Sequence, residues 1–490
     1  MVHIMNLPVV ASAQYKFYFY RHTQQVKLKK GSEMRDIWSN LPVPMEFKIY
    51  LFNVSNPKEV TKGEKPIINE ANEFFFNKQK SSLPLFEDDT VEYSQRTTWI
   101  FNPGKSNGLT GNEVLTVPHL LILGIAMTTA RDKPNMISLA GKAVDSIFKK
   151  PETIFVQATA HDIMFGGLPV DCTVKDFAGA AVCSILKESP DLVTVGDDRY
   201  KVSLFGHKNG TYVADRLRVK RGKKDIKQLG EVVEFKGETA QTVWPEGSLC
   251  NEFNGTDSTI FHPFLYEEED VVSFTPDICR SISAVKCCLK NNNFSAPGIK
   301  ANHYTADFGD PSTDPDLQCF CEAEDKCLKK GLYDMFKCLG IPLVGSLPHF
   351  YQADESYLEQ VIGLSPAQEK HQIDIDLEPT TGTPMSARKR LQFSMFIFPL
   401  DKVKTMKTIA TCLLPIFWIE EGITLGDEFL DQIRLIFTLK KVVAYAEAKM
   451  TVTRVTPQAG SRTDSGTEKK WPLNVNTLQA AQVPPSLDRD

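Results

Sequence analysis

Eight of the chain's eleven cysteines fall between Cys250 and Cys338, and three of them, Cys319, Cys321 and Cys327, stand within the nine residues CFCEAEDKC. No feature restricts the fold more, because thiols at this density either hold a metal or tie distant segments together. A tetrahedral zinc site takes its four ligands mostly as pairs two to four residues apart. The spacing here is C-x-C-x5-C, the chain contains no C-x-x-C, and Cys338 and His349 are the residues that could complete a set. Disulfides are the other reading, and the spacing favours them without excluding the metal.

Bridges need an oxidising compartment. Glycosylation sequons at Asn53, Asn209, Asn254 and Asn293 point the same way, as weak support, since a chain this long contains a few by chance. The composition is that of a globular protein large enough for one large core or two ordinary ones: 490 residues, 42% hydrophobic, net charge -5. A slightly acidic chain with scattered basic residues gives nucleic acid no footprint.

Export also needs a route. Residues 1–25 contain apolar stretches interrupted by Gln14 and Lys16, too short for the ~20 residues of a spanning helix. They show no clean signal peptide either. Toward the other end, Glu420, Glu421, Arg434, Lys440 and Lys441 interrupt both apolar stretches, and residues 439–490 read as a terminal segment with a disordered tail. The expectation is an eroded amino-terminal span, an ectodomain over 26–438 and this tail, anchored or else secreted or truncated.

Strand signatures dominate the first third. Phe47–Val54 and Thr90–Phe101 mix aromatic and β-branched residues with polar ones between turn-forming segments. From Val117 the spacing turns helical in three segments, ending with Glu152–Phe165; in the middle one Met136, Leu139, Ala143, Ile147 and Phe148 share a face. Strands then resume, with Leu391, Phe393, Met395 and the run Ile397–Leu400 marking a buried one. The pattern predicts an α+β protein: antiparallel strands around a core, a helical cap at about 112–190, and a disulfide-rich region at 250–338.

Candidate chemistry is sparse. Gly104–Gly108 matches G-x-S-x-G, yet a second turn replaces the helix that a nucleophile elbow requires, so Ser106 reads as part of a solvated hairpin turn rather than a nucleophile. His161 and Asp162, adjacent on a predicted helix, point about 100° apart and read as a surface pair. The basic run Arg216–Lys227 alternates with Leu217 and Val219 as a half-buried strand would, with a headgroup patch as the functional alternative. Lys149 and Lys150 suit a helix end by complementing its dipole, or else form an exposed cationic rim. Cofactor motifs are lacking, so neither an enzyme nor a cofactor is expected.

Several segments, taken together, resemble the class B scavenger receptor family: MEFKIYLFNVSNPKEV, GTDSTIFHPF, DICRS, CFCEAEDKC, SLPHF, GLSPAQEKHQIDIDLEPTTGTP and PIFWIEEG, in order from about Val26 to Gly422. Within the family, AVDSIFKKPETIFV and SLPHFYQADESYL are most similar to insect sensory neuron membrane proteins, the second type in particular. Departures are local: the family's E-x-G-P-Y stands as Glu70-Ala71-Asn72-Glu73-Phe74, and a usual proline is His262.

The resemblance implies an antiparallel β-barrel core with an internal hydrophobic tunnel and an inserted apical helical bundle, held at the cell membrane with the ectodomain outside. It implies the pairs Cys250–Cys319, Cys279–Cys338 and Cys321–Cys327, of which the first two close long loops worth about 4 kcal/mol each in the loop-entropy account. Cys172, Cys183, Cys287, Cys288 and Cys412 stay outside these pairs. It also places Lys149 and Lys150 at a ligand entrance. The function implied is a non-enzymatic receptor or co-receptor for pheromones and other fatty-acid-derived odorants or lipids, with a membrane odorant receptor as protein partner. The alternative is a scavenger-type lipid uptake or lysosomal transport receptor.

Overall fold

Long strands rich in aromatic and β-branched residues stabilise each other only when both edges of their sheet are covered, and this chain achieves that by curling one sheet almost into a barrel. The computed structural model describes residues 26–434 except 43, 266–269, 291–298, 324 and 432, with backbone only at 87 and 288–290. Among these, the main sheet runs in the order Val232–Phe235, Leu217–Lys220, Thr90–Phe101, Phe74–Glu87, Met45–Val54, Cys412–Thr424, Pro384–Ile397, Ile373–Leu377, Ala301–Ala306, Arg280–Lys290 and Val271–Thr275. Every pairing along this path is antiparallel. First and last strands of the chain's barrel wall thus sit side by side, Glu46 opposite Gly422 and Leu51 opposite Phe417.

The two edges meet at Gly255-Thr256. The Val232 N–H donates to the Gly255 carbonyl (2.9 Å), the Thr256 N–H to the Val272 carbonyl (3.0 Å), and the Phe274 N–H to the Thr256 carbonyl (2.8 Å). Gly255 has φ +79°, and a Cβ there would overlap the Val272 carbonyl. The glycine of the GTD segment is therefore the residue that lets the seam close.

Between Thr90–Phe101 and Leu217–Lys220 the chain builds a cap. Val114–Pro118 pairs with Phe155–Thr159, and Arg199–Val202 pairs with both Leu168–Asp171 and Leu192–Gly196. Helices cover Leu120–Asp132, Ile137–Ile147 and Phe177–Leu186. The third begins at Asp176, whose carboxylate accepts the Gly179 N–H (2.9 Å), a side-chain N-cap. Cap and barrel share one core, in which Ile122, Met127, Val144 and Met164 pack with Phe47, Leu51, Ile416 and Phe417.

Two sequence expectations change in the cap. Glu152–Phe165 reads as helical but forms the strand Phe155–Thr159 and a π-helical turn over Asp162–Gly166. Its β-branched and aromatic run finds a ready strand partner in Val114–Pro118, and pairing overrides the spacing. In the middle helix the buried face is Ala140, Gly141, Ala143, Val144 and Ile147, while Met136 is exposed. Gly141 turns the helix, because its missing side chain lets the backbone rest directly on the Lys402 carbonyl.

Candidate functional site

Where the cap meets the barrel, a cavity opens between Leu51 and Ile416 of the wall and Val117, Leu120, Ile163 and Val202 of the cap. Its empty space is ≈ 430 Å³ including the part open to solvent, of which ≈ 30 Å³ admits the centre of a water-sized molecule. It is a narrow apolar slot, with room for about two waters. His119 is its main polar element. The imidazole is 6% exposed, its Nδ1 has no hydrogen-bond partner among the described residues, and burial pushes its pKa down to about 4, so the ring is neutral.

The slot connects to the lysine pair through one ring. His119 packs edge-on against Phe148 at 4.7 Å between centroids, and Lys149 and Lys150 follow directly. Both lysines are exposed and both have left-handed backbone, φ +58° and +56°, with the Lys150 N–H donating to the Asp145 carbonyl at 2.7 Å. Helices usually reserve that conformation for glycine, and a side chain there costs about 1–2 kcal/mol per residue. The Lys149 ammonium lies 3.6 Å from the Asp171 carboxylate with its side chain 80% exposed, a geometry that adds little stability.

The disulfides join Cys250 to Cys319, Cys279 to Cys338 and Cys321 to Cys327, with Cα atoms 6.4, 5.8 and 4.6 Å apart. A fourth bridge, Cys172–Cys183, staples the Phe177–Leu186 helix to the cap sheet; its spacing carries no recognisable motif. Cys287 is a free exposed thiol, and burial pushes the free Cys412 thiol up to about 12, leaving it unreactive. The side chain of Cys288 lies outside the described set. With these thiols bridged, no cluster of three metal-ligating side chains exists among the described residues, and His349 instead stacks on His371 and hydrogen-bonds Glu70 at 2.6 Å.

Ser106 is fully buried, not solvated. Its hydroxyl accepts from the Phe75 N–H (3.0 Å) and donates to the Asn102 carbonyl (2.8 Å), so it ties the turn to the neighbouring strand and no base faces it in these contacts. His161 and Asp162 sit on the π-helical turn with 3.7 Å between Nδ1 and Oδ1, and Asp162 accepts the Thr159 hydroxyl at 2.8 Å. The basic run lies on the strand Leu217–Lys220 and its flanks: Arg218 bridges Glu92 (2.7 Å) and Glu234 (3.0 Å), and Arg216 reaches Glu92 at 3.5 Å. Of the sequons, Asn254 is exposed, Asn209 is exposed with its amide oxygen accepting the Trp99 N–H (2.9 Å), and half-buried Asn53 accepts the Thr116 N–H (2.8 Å). Asn293 lies outside the described residues. No helix among the described residues is long and apolar enough to cross a membrane.

Residues 2–456 match the family described as the CD36 family. A protein named sensory neuron membrane protein 1 from Apis mellifera is 49% identical, aligned over 95% of this chain and 94% of its own. Proteins of the same name from Mamestra brassicae and Ostrinia nubilalis are 39% and 38% identical, each over 89% of this chain and 82% of its own. The wording of the sequence leans to the second type of these proteins, whereas these relatives carry the name of the first.

Proposed function

Because the chain belongs to the CD36 family, we propose that it is a non-enzymatic, membrane-associated receptor or co-receptor in chemosensory detection. It accepts fatty-acid-derived odorants and related lipids at the cap and conducts them through a tunnel in the barrel toward a membrane odorant receptor. The cap's lysine pair is the ligand entrance. One observation carries this reading: two consecutive lysines are held in a left-handed conformation, exposed, and one ring away from an apolar slot that reaches the barrel wall. Exposed cations on strained backbone, of which Lys149 has only a long 3.6 Å ion pair to Asp171, are better explained by steering ligands than by folding.

Replacing Lys149 and Lys150 with glutamate tests the entrance. Stopped-flow capture of a fluorescent fatty-acid analogue slows at low salt and converges with the natural protein at high salt; equal rates at low salt refute the entrance. A partner-docking role, as in an uptake or lysosomal transport receptor, draws support from Phe177 and Ile185, which stand 79% and 69% exposed on one cap helix. Expression in gut, fat body or haemocytes rather than chemosensory cells would favour it.

A further inference from the structure

The barrel holds more positive charge than its own residues balance. Alternate residues of Phe74–Glu87 share a face, which places Lys78 and Lys80 beside Phe76 on the inside of the wall. Glu421 stands opposite Lys389 in the pairing of Pro384–Ile397 with Cys412–Thr424. Lys78 pairs with Glu421, and the Lys80 ammonium lies 3.2 Å from the other oxygen of the same carboxylate. From its mid-sheet strand Lys389 reaches across the interior to the Ser258 hydroxyl beside the seam, and among the described residues no carboxylate lies within 4 Å of its ammonium.

The next carboxylate, Asp257, is already engaged by the Tyr93 hydroxyl and by the N–H and hydroxyl of Thr259 (3.0 and 2.6 Å). Asp277 faces solvent and pairs with Lys208 at 3.6 Å, and its charge also attracts Lys78 and Lys80. Counting Lys208 with Lys78, Lys80 and Lys389, four ammonium groups therefore meet three carboxylates, Glu421, Asp257 and Asp277, and one positive charge is left over. An unpaired charge in an interior destabilises the fold that holds it. Burial, with repulsion by Lys80 and Lys78, draws the Lys389 pKa down to about 8, which leaves it mostly protonated at neutral pH. Lys80, although enclosed in the barrel, keeps 24% of its side chain accessible, so the cluster borders open space.

An aromatic wall leads from this space to the cap. The Lys78 ammonium sits 5.1 and 5.6 Å from the Phe47 and Trp99 rings, Trp99 packs on Phe205 at 5.6 Å, and the adjoining Leu204 lines the slot beside His119.

We propose that Lys78, Lys80 and Lys389 form an internal seat for the carboxylate of a long-chain acid, whose aliphatic tail lies along the Phe47–Trp99–Phe205 wall toward the cap. The surplus of one charge matches a monoanion. The seat rests on the lipid-binding reading above and adds the headgroup that is held.

The test is equilibrium binding to the full chain with its disulfides intact, using palmitic acid, methyl palmitate and lysophosphatidic acid as competitors of a fluorescent acyl probe. The natural protein prefers palmitic acid over its ester by about tenfold, equivalent to about 1.4 kcal/mol. Lys389→Met abolishes that preference and leaves ester affinity unchanged, while Lys62→Met, at an exposed turn outside both the entrance and the seat, keeps the preference. Lys80→Met serves as a second variant should Lys389→Met fail to fold, and the acid-to-ester ratio of the natural protein needs no variant. Equal binding of acid and ester by the natural protein overturns the seat but leaves lipid binding standing. Preference for lysophosphatidic acid overturns the carboxylate assignment. Stabilisation by chloride without any acid preference marks the seat as an inorganic anion site, and no binding of any acyl ligand overturns both readings.

Discussion

Gly255→Ala tests whether the barrel is held shut where its edges meet. An alanine at φ +79° carries about 1–2 kcal/mol of left-handed strain. Its Cβ also overlaps the Val272 carbonyl, so one side of the seam must move. That displacement threatens three hydrogen bonds, from the N–H groups of Val232, Thr256 and Phe274, at about 1 kcal/mol each. The expected destabilisation is about 4–5 kcal/mol. Gly237→Ala supplies the control: it lies in the adjoining hairpin at φ +84° with open space around it, so it shows the strain alone, about 1–2 kcal/mol. Urea unfolding of the two variants measures the difference, about 3 kcal/mol, and hydrogen exchange locates it at the amides of 232, 256 and 274. If both glycines tolerate alanine equally, or if those three amides stay protected in Gly255→Ala, the seam does not hold the barrel.

Three further outcomes follow from single side chains. Removing Cys172–Cys183 by paired serine substitution withdraws a bridge of sequence separation 11, worth about 3 kcal/mol in the loop-entropy account; faster exchange confined to Phe177–Leu186 is expected, and unchanged exchange there argues against the bridge. Ser106→Ala strands a buried Phe75 N–H and destabilises by about 1–3 kcal/mol, with no change in ester turnover; lost turnover would reveal a hydrolase. Glu421→Gln breaks a buried ion cluster and destabilises by about 3–5 kcal/mol at neutral pH. Burial alone would raise the Glu421 carboxyl, but Lys78, Lys80 and Lys389 outweigh it and hold the group far below the ordinary carboxylate range. Its stabilisation is thus complete above about pH 4–5 and fades as acid approaches the folded value; pH-dependent thermal melts should show that acid loss in the natural protein and its reduction in the variant.

The strands were legible where alternation and composition agree. Phe47–Val54 and Thr90–Phe101 fall within or on the bounds of observed strands, because aromatic and β-branched residues suit a half-buried sheet wherever it curls. Glu152–Phe165 misleads because a short apolar run fits strand and helix equally, and only a partner distant in sequence decides. The lysines inside the barrel were illegible for a different reason. Asn77-Lys78-Gln79-Lys80-Ser81-Ser82 reads as a strand with both faces wet, and nothing local tells which face a closing sheet turns inward. Ser106 likewise looks solvated until its acceptor role toward Phe75 is seen.

Glu420 and Glu421 make the distinction between a structural pair and a candidate site sharp. Consecutive strand residues must face opposite ways, so the two carboxylates of PIFWIEEG project one outward and one into the barrel. Glu420 receives Arg390 at 2.7 Å and Lys48 at 3.0 Å. Those cations also meet Asp374 and Glu73 at 3.4 and 3.7 Å, so two cations face three carboxylates and the outer layer has no surplus positive charge to offer an anion. Glu421 has the same chemistry and neighbours of the same kind, yet the inner face ends one carboxylate short. A purely structural interior would gain by replacing Lys389 with an apolar residue, since unpaired buried cations destabilise. Lys389→Met therefore separates the two explanations in one protein: higher stability with the acid preference gone identifies a cation kept for its ligand, whereas lower stability with the preference intact identifies a lysine that serves the fold.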